Sequence, residues 1–231
     1  MSMAASRPIY CKAILFDLDG VLVNSAECVE RTWRGWASRH RLDPERVIAM
    51  AHGRRTIETV RLVAPHLSVD AEVASLEANE AMTSEGIYEV TGARELLERL
   101  PAHKWAVVTS GIRTVAELRL KLTGLPAPNV MICADDIERG KPDPEGYLKA
   151  AAGLGYAAGD CIVIEDAPAG IEAAHAAGMQ VVAIASTYAP DRLAVADAVV
   201  EQLADLRIAL NGDDLRIDIL KPAAPLVEKQ V

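Results

Sequence analysis

The chain of 231 residues lacks any excess of basic residues, since 24 lysines and arginines stand against 33 aspartates and glutamates. The resulting net charge of −9 argues against a nucleic acid or a membrane surface as the main partner. An anionic substrate remains compatible with this charge, because a few lysines and arginines reverse the sign of the potential inside a cleft.

Long apolar runs are also absent. No run reaches the length that crosses a membrane, and the first residues lack the hydrophobic segment of a signal peptide. The four cysteines are scattered without a Cys-x-x-Cys pair, which is typical of reduced, buried thiols. These features predict a cytoplasmic protein. The 51% of hydrophobic residues are enough for one large α/β domain, or for a core with a smaller insert.

Short apolar runs alternate with helical stretches along the second half of the chain. The runs cover residues 105–109, 130–134, 161–165, 181–185 and 198–200, and the helices between them cover 114–122, 145–152 and 170–177. Because strands that alternate with helices pair in parallel, the pattern predicts an α/β fold with a doubly wound parallel sheet.

Residues 24–87 have a different character. Amphipathic helices are predicted at 25–39, 44–51, 56–63 and 69–82, and no strand pattern separates them. An all-helical block inserted after the first strand of a parallel sheet is typical of a cap domain. We therefore expect a core formed by residues 1–23 and 88–231 and a cap formed by residues 24–87.

Two carboxylates follow the first apolar strand, in the sequence Asp17-Leu18-Asp19-Gly20. Ligands of open α/β sheets bind at the carboxyl ends of strands, and side chains two residues apart lie on the same side. One carboxylate is then placed to attack while the other handles protons. The pattern alone also fits a calcium loop or an acidic turn, but the apolar residues after Gly20 suit a calcium loop poorly.

Three later strand ends carry polar groups as well. Thr109-Ser110-Gly111 offers hydroxyl and N–H groups before a helix, which is typical of a phosphate site and equally of a helix cap. Lys141 lies in a proline-flanked loop and is interpreted as a fixed charge or as a surface lysine. Glu165 and Asp166 would repel the first acidic pair unless a cation lay between them, and Mg²⁺ suits such an all-oxygen site.

Taken in order, these four motifs resemble those of the haloacid dehalogenase superfamily, in particular its sugar-phosphate phosphatases with a small helical cap. The resemblance spans most of the chain and implies an Mg²⁺-dependent hydrolysis of small sugar or polyol phosphates through an aspartyl phosphate. The residues implied are Asp17 as nucleophile, Asp19 as general acid/base, Lys141 as charge neutraliser, Thr109, Ser110 and Gly111 as phosphoryl ligands, and Asp17, the Asp19 carbonyl, Asp166 and Glu165 around the metal.

The resemblance leaves a phosphomutase similar to β-phosphoglucomutase as the main alternative. That family carries a histidine at the position of Val29. Its arginine has no clean match, because the alignment from Gly53 places Thr56 there with Arg54 and Arg55 nearby, and residues 76–80 contain no counterpart of its cap lysine. These absences favour a hydrolase. A dehalogenase fits less well, because the second aspartate supplies the acid that a phosphoester needs, and a non-catalytic binding module fits least, because every motif is intact.

Substrate recognition is expected from the cap. The candidates are Asn24, Glu27 and the run His52-Gly53-Arg54-Arg55, each of which is otherwise interpreted as a solvated helix end. The expected partner is a small phosphorylated metabolite, and the expected assembly is a monomer or a weak dimer.

Overall fold

A parallel sheet of six strands forms the centre of the computed structural model, which describes residues 7–223. In spatial order the strands are β6 (Met131–Ile132), β5 (Trp105–Val108), β2 (Ala13–Phe16), β7 (Cys161–Glu165), β8 (Gln180–Ile184) and β9 (Ala198–Val200). The helices of the core are α5 (Ala93–Arg99), α6 (Arg113–Thr123), α7 (Glu145–Leu154) and α8 (Pro168–Ala176).

Helices cover both faces of this sheet. Along β2, Ile14 and Phe16 pack in one buried cluster with residues of α5 and α6, whereas Leu15 packs in a second cluster with residues of α7 and α8. Both clusters are buried, which explains why the strands are continuous apolar runs rather than alternating ones. The predicted doubly wound α/β fold is thereby confirmed.

Four helices lie between the first and second parts of the core. They are α1 (Ala26–Arg39), α2 (Pro44–Ala51), α3 (Thr56–Val63) and α4 (Val69–Met82), and they share a separate buried cluster. Within it, the rings of Trp33 and Trp36 meet edge to face at 5.6 Å, and Trp36 Nε1 donates a hydrogen bond to Glu72. Two short antiparallel strands, β3 (Val23–Asn24) and β4 (Tyr88–Glu89), join this helical cap to the core.

A small antiparallel sheet completes the fold, with strands in the order β1 (Ile9–Cys11), β11 (Asp214–Ile219) and β10 (Leu206–Asn211). Apolar and polar residues alternate over 215–219, a pattern typical of an edge strand, but the structure differs from this expectation. β11 is the middle strand, because its alternate residues Leu215 and Ile217 are fully buried while both of its edges are paired. No helix in the described part of the chain is both long and apolar enough to cross a membrane.

Candidate active site

A cavity of about 310 Å³ lies between the carboxyl ends of the parallel strands and the helical cap. This volume is at the lower end of the range for small-molecule sites, which is about 300–1,000 Å³. The core lines it with Asp17, Asp19, Thr109, Ser110, Arg119 and Asp166, and the cap lines it with Val29, Trp33, His52, Arg54, Thr56 and Glu80. Most of the residues expected from the motifs therefore meet in one place.

Asp17 follows β2 directly and is 6% exposed. Its Oδ1 accepts a hydrogen bond from Lys141 Nζ, which the loop before α7 brings into the core. Burial raises the pKa of Asp17 to about 7, although the Lys141 charge opposes the shift. Burial alone would lower the pKa of Lys141, but Asp17 and Glu165 outweigh it, so that the pKa lies well above its ordinary value and the ammonium is charged.

Glu165 is the last residue of β7 and is completely buried. Its Oε1 accepts from Lys141 Nζ at 2.7 Å and from the Tyr147 hydroxyl at 3.2 Å, and its Oε2 accepts from the N–H groups of Asp166 and Ala167. Both oxygens are thus engaged by the protein itself. Glu165 was expected beside the metal, either as a direct ligand or through a water molecule, and the geometry favours it as the partner that fixes Lys141.

One carboxylate oxygen from each of Asp17, Glu165 and Asp166 lies within 4.8 Å of the other two, a spacing that allows a shared metal ion. Burial raises the pKa of Asp166 well above its ordinary value. A side chain at position 20 would occupy this space, because a Cβ on Gly20 would lie 1.9 Å from Asp166 Oδ2. Gly20 also has a φ of 85°, which glycine tolerates best. An all-oxygen donor set of this kind fits Mg²⁺.

The Asp19 side chain lies beside Asp17 and is held at both oxygens. Ser25 Oγ donates to Oδ1 at 2.6 Å, and Arg119 Nη1 donates to Oδ2 at 2.6 Å. Unlike Asp17, Asp19 remains partly exposed to the cavity, with 26% of its side chain accessible. It is therefore positioned by hydrogen bonds and still able to meet a substrate or a water molecule.

Thr109-Ser110-Gly111 lies between β5 and α6. Thr109 is buried, and its Oγ1 accepts a hydrogen bond from the Gly111 N–H at 3.1 Å. The Ser110 hydroxyl donates to the carbonyl of Gly53 in the cap at 3.0 Å. This turn forms part of the cavity floor as expected, but Ser110 also joins the core to the cap.

The two cap arginines differ in position. Arg54 lines the cavity, as does Asn24 at the start of the cap. Arg55 does not, contrary to expectation: it pairs with Glu58 at 2.7 Å and donates to backbone carbonyls of Ile137 and Glu138 in the core. A guanidinium engaged in this way is unavailable to a substrate, so Arg55 acts as a contact between cap and core.

Arg119 and Glu80 are two charged cavity residues that sequence reasoning missed. Both lie on helices, where a charged residue usually belongs to the solvated face. The available signal was weak: Arg119 lies in α6 among buried positions, including Ala116 and Leu120, rather than on its polar face. His52 also lines the cavity, and burial lowers its pKa.

Comparison with known proteins relates the chain to a family of hydrolases. A family model described as haloacid dehalogenase-like hydrolase matches residues 14–184. Hexitol phosphatase A of Escherichia coli (strain K12) is 44% identical over 88% of this chain and 97% of its own length. Glycerol-1-phosphate phosphohydrolase 2 of Saccharomyces cerevisiae is 38% identical over 81% of each chain. The crystal structure of a hydrolase from Pseudomonas syringae superposes with a TM-score of 0.73 at 27% identity, over 82% of this chain and 93% of that one.

Proposed function

The chain belongs to the haloacid dehalogenase-like hydrolase family, and on that premise we propose that it hydrolyses phosphate monoesters of small sugars or polyols. The observation that carries the proposal is the buried Asp17, paired with Lys141 on the floor of a small cavity and lying beside Asp19. The similarity to phosphatases of hexitol and glycerol phosphates supports this substrate class.

The first step is attack by Asp17 on phosphorus. A bond forms between the Asp17 carboxylate and phosphorus while the bond from phosphorus to the sugar oxygen breaks, which leaves an aspartyl phosphate. Lys141 offsets the repulsion between the carboxylate and the phosphate dianion, and Glu165 holds the ammonium in place. Mg²⁺ bound by Asp17, the Asp19 carbonyl and Asp166 would supply further positive charge at the phosphate.

Asp19 moves the protons in both steps. Its carboxyl group gives a proton to the leaving sugar oxygen, and the resulting carboxylate takes one from the water that attacks the aspartyl phosphate. Inorganic phosphate leaves, and Asp17 is restored. Thr109 and the backbone of the turn that follows are suited to hold the phosphoryl oxygens, and the cap excludes bulk water.

The cavity supports a hydrolase over a mutase. At the two positions where the β-phosphoglucomutase family carries its histidine and its arginine, the cap presents Val29 and Thr56, which can neither deprotonate a sugar hydroxyl nor form an ion pair with a second phosphate. Arg54 and Asn24 remain as the candidates for contacts to the sugar. A monomer or weak dimer in the cytoplasm stays a prediction from the sequence.

The test is incubation of the Mg²⁺-loaded enzyme with a panel of sorbitol 6-phosphate, glycerol 1-phosphate, 2-deoxyglucose 6-phosphate and β-glucose 1-phosphate, followed by phosphorus NMR. We expect inorganic phosphate from at least one monoester without a bisphosphate activator. In a parallel reaction, β-glucose 1-phosphate is supplied together with glucose 1,6-bisphosphate. Rapid formation of glucose 6-phosphate there, with little free phosphate, would contradict the proposal.

A further inference from the structure

Arg119 is a buried arginine that connects the core to the cap beside Asp19. It lies on α6, and its side chain is 4% exposed. Nη1 donates to Asp19 Oδ2 at 2.6 Å, while Nη2 lies 3.5 Å from Glu80 Oε2, which α4 of the cap supplies. One guanidinium therefore joins the side chain of Asp19 to a helix of the cap.

Fold stability alone explains this arrangement poorly. Burial of an ion pair usually costs about as much desolvation energy as the attraction returns. The cost is higher for Arg119, because its Nε is buried and has no hydrogen-bond acceptor among the described residues. A buried donor without a partner is uncommon in folded proteins and is retained most often where function requires it.

The contact also fixes the part of Asp19 that chemistry needs. With Ser25 on one oxygen and Arg119 on the other, the carboxyl group cannot rotate freely, and its exposed part lines the cavity. Ser25 lies at the start of the cap, and Glu80 lies in its last helix. Residues at both ends of the cap therefore help to orient the Asp19 side chain, Ser25 directly and Glu80 through Arg119.

This inference rests on the proposed function. We propose that Arg119 is a positioning residue for Asp19, and that Arg119 and Glu80 together form a clamp that joins Asp19 to the cap. The clamp orders Asp19 when the cap lies against the core, so that proton transfer occurs only in the closed cavity. Asp17 and Lys141 do not depend on it, because neither makes a hydrogen bond to Arg119 or Glu80 within the described residues.

The two half-reactions depend differently on Asp19, and the test uses this difference. An alkyl phosphate needs a proton on its leaving oxygen, whereas 4-nitrophenyl phosphate releases a stable anion without one. Breakdown of the aspartyl phosphate needs the base in both cases. Rapid-quench single turnover measures formation and loss of the phosphoenzyme separately for 4-nitrophenyl phosphate and for the alkyl ester turned over fastest in the panel.

For Arg119→Gln we expect turnover of the alkyl ester to fall by roughly a hundredfold, the scale of lost acid/base catalysis. Nitrophenolate release in the first turnover should stay close to wild type, and the phosphoenzyme should then accumulate. Arg119→Lys keeps the charge but cannot span both carboxylates, so its turnover of the alkyl ester should lie between that of wild type and that of Arg119→Gln. Glu80→Gln should show the same pattern as Arg119→Gln, with a smaller loss of turnover.

Two matched controls separate position from charge. Arg113→Gln removes an ion pair from the same helix, and Glu77→Gln removes a carboxylate from the same cap helix, and both should match wild type. Equal losses in both half-reactions, or unchanged alkyl turnover in all three site variants, would overturn the inference. If wild type released no inorganic phosphate from any ester of the panel, the proposed function itself would instead be refuted.

Discussion

The two aspartates at the end of β2 are chemically alike, but the structure gives them different surroundings. Asp17 is buried against an ammonium group, which suits a nucleophile that must face a phosphate. Asp19 is held by neutral and cationic donors at the edge of the cavity, where a proton can be exchanged. Environment therefore assigns a different role to each residue of the pair.

A pair of isosteric substitutions tests this division. Asp17→Asn removes the nucleophile, so no phosphoenzyme should form and turnover should reach the background rate. Asp19→Asn leaves Asp17 and Lys141 in place, so substrate binding should persist while turnover falls roughly a hundredfold or more. Steady-state kinetics together with acid-quenched labelling measures both effects. Wild-type turnover by Asp17→Asn would rule out the covalent mechanism.

At the level of single residues, the sequence predicted three of the four core motifs because each begins at the end of an apolar strand. Asp17, Thr109 and Asp166 sit where parallel strands end, and the topology brings those ends together. Arg119 and Arg55 could not be placed in the same way. Their partners are Asp19 and Glu80 in one case and the carbonyls of the loop after β6 in the other, all remote in sequence.

The start of helix α3 docks the cap onto the loop that carries Lys141. Arg55, the residue before the helix, donates a hydrogen bond to Glu58, and Glu58 Oε1 accepts from the Gly140 N–H at 2.9 Å. A side chain on Gly140 would not fit, because a Cβ there would lie 2.7 Å from Arg55 Nε. This contact links the position of the cap to that of Lys141.

Loss of that contact should affect binding and turnover together. For Arg55→Ala we expect KM to rise and kcat to fall by about tenfold each, since hydrogen bonds of charged groups contribute about 1.5–3 kcal/mol and cap closure serves both steps. Arg54→Ala should instead change KM by a different factor for each sugar phosphate, while kcat is largely retained. The exposed Arg61 on the same helix supplies the control as Arg61→Ala. Identical kinetics for Arg54→Ala and Arg55→Ala would contradict the separation of their roles.

Element boundaries followed from local signals where such signals exist. α2 begins where predicted, because Asp43 caps it and Pro44 suits the first helical turn. α7 runs past its predicted end, because Gly155 rather than Gly153 takes the left-handed conformation with a φ of 80°. The short strand β1 escaped prediction, since its pairing with β11 depends on contacts across nearly the whole chain. β10 also escaped prediction, although it forms a local hairpin with β11, because most of its residues are exposed.

At the level of the whole molecule, the acidic site affects stability. Burial raises the pKa of Asp17 from 3.8 to about 7 and that of Asp166 well above its ordinary value. Such a carboxyl keeps a proton in the folded chain that the unfolded chain releases. Its contribution to the free energy of unfolding is therefore full below about pH 4 and is lost as the pH rises to about 7. Bound Mg²⁺ replaces the proton and should restore this stability.

Thermal unfolding of the metal-free protein tests this linkage. The Tm of Asp17→Asn relative to wild type should increase steadily from pH 4 to pH 8, because the amide carries no charge to desolvate. Each kcal/mol corresponds to about 2–4 °C for a chain of this size. Added Mg²⁺ should raise the Tm of wild type more at pH 8 than at pH 5, because protons compete with the metal for Asp17, and it should raise that of Asp17→Asn much less. The exposed Asp191 gives the control, since Asp191→Asn should leave both trends unchanged. A Tm difference that does not vary with pH would show that Asp17 is already ionised in the metal-free fold, and its pairing with Lys141 would then outweigh its burial.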